Sequence, residues 1–247
     1  MKRLFINFSQ RVSFAVRNPT YTFKALTREI LGTEERLLAN VSGCSAAQIR
    51  AYLEEPFENA DFYGHLRDSE QIFKEAQITS ADFYAKKVVL QYAVVRAVKP
   101  TVILETGVAS GVSTAYILLA LKANGSGFLH SVEIGDTSYL PPGHLPGWIV
   151  PNWLRDRWKM HIGDSRVLLA PLAQELAPLD IFIHDSLHTY EHMVFEFEAA
   201  FPFLRPNGIL ISDDALWNPA FDEFSKRVHA MPAGMIRGVG VMRKGGL

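Results

Sequence analysis

The sequence predicts an α/β fold: a doubly wound, mainly parallel sheet with an N-terminal helical cap and a C-terminal β hairpin. Five short apolar runs follow one another after residue 100, and most are separated by stretches long enough for a helix. Such runs are typical of parallel strands that are buried on both faces of a sheet. Each run ends in a carboxylate, and these five acids are Glu105, Glu133, Asp164, Asp185 and Asp213.

The five acids point to one binding pocket. The carboxyl ends of parallel strands share one edge of the sheet, and ligands bind in the crevice outside that edge. We therefore expect the acids to face the same crevice. Their common negative charge predicts a ligand that is polar and cationic, or one that carries a metal.

The remaining elements follow from periodicity and from helix-ending residues. Residues 1–97 are predicted to form the helical cap, and Pro100 ends its last helix directly before the first strand. Residues 98–247 are predicted to form the second, catalytic domain. The segment 234–244 has the pattern of a β hairpin that closes the sheet. Helices are predicted at 22–38, 46–53 and 81–98 in the cap, and at 113–122, 165–176, 190–203 and 220–229 in the domain.

A long irregular segment interrupts the alternation between residues 134 and 157. It contains four prolines and two tryptophans. A loop of this length inside a compact domain is often functional. The segment is predicted to be a lid or a wall of the binding pocket, and a structural insertion is the alternative.

Composition limits the classes of partner and compartment. The chain has 247 residues and a formal net charge of −1, so no overall field attracts nucleic acid. Cys44 is the only cysteine, which excludes an internal disulfide and favours the cytoplasm. No apolar run reaches the roughly 18 residues that span a bilayer.

An amphipathic pattern opens the chain. Phe5, Phe8, Val12 and Val16 recur at helical spacing among basic residues. This pattern predicts a helix that packs on its own chain or on a second copy in a homo-oligomer. Weak association with an anionic membrane surface is the alternative.

A glycine turn follows the first strand. Gly107 and Gly111 allow a sharp turn and a close approach to a ligand, and the helix that follows offers free amide donors. Their spacing differs from G-x-G-x-x-G, and the preceding Glu105 would repel a pyrophosphate, so a nicotinamide dehydrogenase is disfavoured. Glu133, at the end of the second strand, is placed to accept hydrogen bonds from ribose hydroxyls. Asp164 is either a partner of an adenine amino group or the cap of the next helix.

With these motifs, residues 85–247 resemble the class I S-adenosylmethionine-dependent methyltransferases, whose fold is Rossmann-like. The resemblance implies that the glycine turn holds the methionine part of S-adenosyl-L-methionine and that Glu133 holds its ribose. It places Ile134 on one adenine face, with Asp164 and Ser165 at the adenine edge. The implied cofactor contacts are Glu105, Thr106, Gly107, Ser110, Gly111, Ser113, Glu133, Ile134, Gly163, Asp164, Ser165 and Asp185.

A candidate metal site lies farther along the chain. Asp185 ends the fourth strand, and Asp213 and Asp214 follow the fifth. Three converging carboxylates repel one another, and Mg²⁺ or another divalent metal would relieve that repulsion. This part resembles the O-methyltransferases of the catechol type and of the antibiotic-sugar type, which have an acid after strand four and an acidic or amide pair after strand five. The catechol type has a lysine three residues after its first metal acid, whereas this chain has His188.

The predicted function is metal-assisted methylation of a hydroxyl group on a small molecule, the methyl acceptor. The catalytic residues are Asp185, which helps to hold the ion that orients and acidifies the hydroxyl, and His188, which accepts the proton. His184 is predicted to lie in the core and His192 on the surface. Three alternatives stay open: a cephalosporin-hydroxylase-like metal enzyme, a noncatalytic nucleoside-binding or scaffold protein, and a structural role in which Asp213 and Asp214 cap the following turn and His188 bonds to backbone.

Overall fold

The structure, a computed structural model, describes residues 34–76 and 86–246. The predicted N-terminal amphipathic helix therefore lies outside the described residues. The cap helices are α1 (Glu34–Ser42), α2 (Ala46–Glu54), α3 (Ala60–Glu75) and α4 (Lys86–Val98). Three of them overlap the predicted stretches. Helix α3 was not predicted, and it begins where Asn59 accepts a hydrogen bond from the amide of Phe62.

The rest of the chain alternates strands and helices as predicted. The helices are α5 (Val112–Asn124), α6 (Ser165–Leu176), α7 (Tyr190–Ala200) and α8 (Ala220–Arg227). The strands are β1 (Val102–Thr106), β2 (Phe128–Glu133), β3 (Trp158–Ile162), β4 (Leu179–His184), β5 (Leu204–Ser212), β6 (Ala233–Ile236) and β7 (Val239–Arg243).

The strands form one seven-stranded sheet in the order β3-β2-β1-β4-β5-β7-β6. Strands β1 to β5 pair in parallel, and β7 pairs antiparallel with both β5 and β6. The predicted fold class is confirmed. The final hairpin joins the sheet by inserting its second strand, β7, beside β5. The strand order reverses between β1 and β4, which is where a doubly wound sheet opens its ligand crevice.

Alternate residues of the central strands face two separate cores. Ile103 of β1 packs into the core on the side of α4 and α5, and its neighbour Leu104 packs into the core beside α6 and α7. Strand β4 repeats this division with Ile181 and Phe182. This is the two-residue period of a sheet that is covered on both faces. The first core also takes in buried residues of the cap, namely Leu38, Ile49, Phe62, Leu66 and Phe73.

Hydrogen bonding continues past the strands at their carboxyl edge. The amide of Asp185 donates to the carbonyl of Thr106 (2.9 Å), and the amide of Asp213 donates to the carbonyl of His184 (2.8 Å). The amide of Gly107 donates to the carbonyl of Val132 (2.9 Å). The ladder thus fixes Gly107, Asp185 and Asp213 along one edge.

The long segment 134–157 packs against the glycine turn. Its Gly147 amide donates to the carbonyl of Ala109 (2.8 Å), and its Ile149 amide donates to the carbonyl of Ser110 (3.0 Å). Ile149 is fully buried. The segment, called the wall segment below, is therefore fixed to the turn, and its role as a wall of the binding pocket stays a prediction. Among the described residues, no helix has the length and apolar character needed to cross a membrane.

Gly107 provides a test of how closely β1 and β4 approach each other. A Cβ atom at Gly107 would lie 2.1 Å from the carbonyl oxygen of Asp185, and the backbone φ is +82°. Gly43 has a similar φ of +77° but nothing within 4 Å of its Cβ position, so it is a matched control. We expect Gly107→Ala to lose about 1–3 kcal/mol more unfolding free energy than Gly43→Ala, measured by urea unfolding. Equal losses would show that the two strand ends can separate freely.

Candidate active site

The glycine turn between β1 and α5 adopts backbone conformations that favour glycine. Gly107 and Gly111 have φ values of +82° and +90°. A Cβ on Gly111 would meet the Cα of Gly147 at 2.8 Å, so the wall segment lies directly against the turn. Ser110 and Ser113 are buried at this junction, and the Ser113 hydroxyl lies 3.5 Å from Oδ2 of Asp185. The turn and the end of β4 therefore meet at the strand-order reversal.

Glu133 organises the turn through its carboxylate. Oε2 accepts hydrogen bonds from the amides of Val108 (2.8 Å) and Ala109 (2.9 Å). Oε1 accepts from the Gly135 amide (3.0 Å) and from the Tyr139 hydroxyl (3.3 Å). A carboxylate offers about four acceptor positions, so these four bonds saturate it. The side chain predicted to bind ribose is therefore positioned, and a ligand hydroxyl must replace one of its present donors.

Glu105 is buried within the protein and does not point into an open pocket. Its carboxylate accepts hydrogen bonds from the hydroxyls of Ser131 (2.7 Å) and Thr114 (3.1 Å). Trp158 in turn donates to the Ser131 hydroxyl (2.9 Å). Burial raises the pKa of Glu105 to about 7, although the two hydroxyl donors oppose that shift. The expectation that all five strand-end acids face one pocket is thus not met at Glu105, whose side chain joins β1 to β2 and α5.

Thr106 points to the opposite side of the sheet, where Glu196 of α7 is completely buried. The Thr106 hydroxyl donates to Oε2 of Glu196 (2.5 Å), and Nδ1 of His184 lies 2.6 Å from the same oxygen. Oε1 accepts from the Ser186 hydroxyl (2.8 Å) and lies 2.9 Å from Nε2 of His192. Burial alone would raise the pKa of Glu196, but the bonds to the two histidines outweigh it and hold the pKa well below its usual range.

The predictions for the two histidines of this cluster have different outcomes. His184 lies in the core and is hydrogen bonded, as predicted. The prediction of a surface position for His192 is wrong, because its ring is buried against Glu196. A sequence signal existed: His192 and Glu196 fall on the helical face that also carries the buried Met193, Phe197 and Ala200.

The end of β2 and the start of α6 form the outer part of the crevice. Ile134 and Ile162 are both exposed, and Ile162 pairs with Glu133 in the β2–β3 register. Gly163 donates its amide to the carbonyl of Glu133 (2.8 Å). Asp164 caps α6 by accepting a hydrogen bond from the Arg166 amide (2.8 Å). The capping interpretation of Asp164 is therefore observed. The hydroxyl of Ser165 lies 3.2 Å from Nε2 of His192.

Asp185 and Asp213 lie next to each other at the ends of β4 and β5. Lys87, which was not predicted as a site residue, brings a positive charge to this pair. Nζ of Lys87, in the first turn of α4, lies 2.7 Å from Oδ2 of Asp213. The Asp213 side chain is nearly buried. Burial alone would raise its pKa, but the charge and hydrogen bond of Lys87 lower it. Burial and the neighbouring Asp213 raise the pKa of Asp185 well above its usual value.

His188 completes this cluster. Ligand atoms of Asp185, His188 and Asp213 all lie within 4.8 Å of one another. Nε2 of His188 lies 3.8 Å from Oδ1 of Asp185 and has no hydrogen-bond partner in the described structure. Burial lowers the pKa of His188 to about 4, and the nearby His184 contributes to this shift to a smaller extent. Asp214, expected as a third metal ligand, is not a member of this group. Its backbone has a φ of +46°.

These observations define a crevice at the carboxyl edge with a glycine turn, a saturated strand-end acid and a compact group of two carboxylates and one imidazole. Residues 104–215 match a family described as "Methyltransferase domain". The matched segment includes the glycine turn, Glu133 and the Asp185, His188 and Asp213 group. This match and the topology of the sheet support the predicted class, the class I S-adenosylmethionine-dependent methyltransferases.

Solved structures share the fold at low sequence identity. The O-methyltransferase from Bacillus cereus, solved with SAH, is 18% identical with a TM-score of 0.54 and covers 73% of this chain and 91% of its own. The O-methyltransferase TomG from Streptomyces achromogenes, involved in tomaymycin synthesis and solved with SAM, is 16% identical with a TM-score of 0.55. That alignment covers 74% of this chain and 90% of TomG. No curated protein matches the chain.

The buried Glu105 provides a test of the network around it. Its pKa of about 7 in the folded chain exceeds the value of 4.5 expected when it is exposed. A raised folded pKa stabilises the fold below about pH 4.5, and this contribution is lost as the pH rises through about 7. Glu105→Gln does not titrate, so we expect its unfolding free energy to gain about 3 kcal/mol relative to wild type between pH 4.5 and pH 8. Denaturant unfolding at both pH values measures this gain. If the difference in unfolding free energy between the variant and wild type is the same at both pH values, the pKa of Glu105 is not raised.

Proposed function

We propose that this methyltransferase transfers a methyl group to a hydroxyl of a small molecule, assisted by a divalent metal ion. One observation carries the proposal: Asp185, His188 and Asp213 converge within 4.8 Å of one another beside the glycine turn. Two carboxylates and an imidazole at that place can hold an ion and accept a proton. The two solved structures compared above, which have the same fold, are both O-methyltransferases.

The cofactor would lie along the edge from the glycine turn to β3. The backbone of Gly107 and Gly111 would lie against its methionine part, beside Ser113 and Asp185. Glu133 would accept from the ribose hydroxyls, replacing the donor with the longest bond, Tyr139 at 3.3 Å. The exposed side chains of Ile134 and Ile162 offer apolar surface for a flat adenine ring. S-adenosyl-L-methionine supplies an electrophilic methyl group on a cationic sulfur, which suits an acidic edge.

The residues at the ends of β4 and β5 fit a divalent ion. Nε2 of His188 and Oδ1 of Asp213 are buried without a hydrogen-bond partner in the described structure, and both residues belong to the converging group. Asp185 and Asp213 would be the ligands, since carboxylate oxygens suit Mg²⁺ or Mn²⁺. A bound ion supplies Lewis acidity, which lowers the pKa of a hydroxyl group next to it.

His188 would take the proton of the acceptor hydroxyl at Nε2. With a pKa of about 4 the imidazole is neutral at pH 7, so this nitrogen is able to accept. A base of low pKa is effective only when the hydroxyl it serves has been acidified, which is consistent with a metal-assisted site. The ring of Trp217 lies 5.5 Å from the His188 ring and would form part of the acceptor surface.

The role of Glu133 can be tested by cofactor binding. Glu133→Gln replaces the carboxylate that would accept hydrogen bonds from the ribose hydroxyls. We expect the affinity for S-adenosylhomocysteine, measured by calorimetry, to fall about tenfold or more. Tyr139→Phe removes the hydroxyl that the ribose replaces, and it should bind within about twofold of wild type because the lost bond is weak. If the two variants lose affinity equally, ribose does not bind at Glu133.

The metal role can be tested with the purified full chain. After treatment with a chelator, we expect methyl transfer to a panel of phenolic and sugar hydroxyls to fall at least about a hundredfold, and Mg²⁺ or Mn²⁺ should restore it. Asp213→Asn should not be restored, because it lacks the carboxylate that holds the ion. The same variant should retain binding of S-adenosylhomocysteine, which separates metal loss from cofactor loss. Full activity of the chelator-treated wild type would refute the metal role.

A further inference from the structure

Lys87 joins the helical cap to the candidate metal group. It lies 126 residues before Asp213 in the chain, yet its Nζ is 2.7 Å from Oδ2 of that carboxylate. The Lys87 side chain is largely covered, and the Asp213 side chain is only 4% exposed. A partly buried pair of this kind is screened less by solvent than a surface pair. The ammonium is therefore an effective counter-charge for Asp213.

The same carboxylate is a proposed ligand for a divalent ion. Oδ1 of Asp213 is buried without a hydrogen-bond partner in the described structure, whereas Oδ2 is bound to Lys87. A divalent ion held by this carboxylate would lie close to the ammonium, and the two positive charges would repel each other strongly at short range in a part-buried site. The ion would also have to share, or take over, the carboxylate charge that Lys87 now neutralises.

We propose that Lys87 is a positioning residue that competes with the divalent metal ion for Asp213 and so sets the affinity of the site for metal. This inference rests on the proposed metal role. Without metal, the ammonium holds the carboxylate in place and balances its charge. With metal, the Lys87–Asp213 bond lengthens or breaks. The family match covers residues 104–215, so the competing residue lies outside the matched segment.

The test is a titration of Mn²⁺ into the full chain at pH 7.5, followed by calorimetry and by the electron paramagnetic resonance signal of free Mn²⁺. Lys87→Met removes the charge and keeps much of the apolar stem, and we expect it to bind Mn²⁺ about tenfold tighter than wild type or more. Lys87→Arg keeps the charge and should bind close to wild type. Lys122→Met is the control, because Lys122 is an exposed lysine near the far end of α5 and bonds to the carbonyl of Trp153.

The outcomes separate the two proposals. If all variants bind Mn²⁺ and Lys87→Met binds it no more tightly than wild type, the competition is refuted and the metal role stands. Absence of Mn²⁺ binding in every variant overturns both. A second measurement does not depend on a folded variant: the ¹⁵N resonance of the Lys87 ammonium in wild type should shift on saturation with diamagnetic Mg²⁺. A resonance that stays unchanged at saturation also contradicts the competition.

Discussion

Removing carboxylates from water at the carboxyl edge of the sheet is the constraint on which the rest of this structure depends. Charged groups in such surroundings need compensation, and the acids obtain it in different ways. Glu133 accepts backbone amides, Glu196 binds two histidines, and Asp213 is paired with Lys87. Glu105 has two hydroxyl donors and a raised pKa. Each solution also ties together elements that are far apart in the chain.

Asp185 is the acid with the weakest compensation in this set. The Ser113 hydroxyl lies at 3.5 Å and the His188 ring nitrogen at 3.8 Å, both longer than strong hydrogen bonds. Burial and the neighbouring Asp213 raise its pKa. This carboxyl is therefore able to change its charge or its partner at low cost. It stands beside the glycine turn, where a cationic sulfur compound and a metal ion would each offer the missing positive charge.

The fold followed from the sequence because the local and global signals agree. The two-residue alternation at Ile103 and Leu104 specifies strands with two buried faces, and strand ends are then brought to one edge by topology. That geometry was enough to predict that Asp185 and Asp213 lie close together. It was also enough to offer helix capping as one interpretation of Asp164. Helix α3 was missed because its buried positions include Ser69, which weakens the apolar stripe.

The details of the site needed three-dimensional information. Lys87 lies at the start of an apolar helix, and nothing in its local sequence indicates that its side chain reaches β5. The orientation of Glu105 depends on which face of β1 it occupies, and this is set by Ser131 and Thr114 on neighbouring elements. The choice between Asp214 and His188 likewise depends on a backbone conformation, because Asp214 adopts a positive φ after the strand ends.

The wall segment has a consequence for the evolution of acceptor choice. Because its Gly147 and Ile149 amides bond to the backbone of Ala109 and Ser110, the surface that would face the acceptor shares main-chain bonds with the turn that would face the donor. The carbonyl of Ile149 also lies 2.7 Å from His65 of the cap, so a third part of the chain is fastened to the same strip. Exchanging this segment between homologous enzymes would therefore disturb the donor turn and the cap together, and new acceptor preferences would arise more readily from side-chain changes on an unaltered backbone.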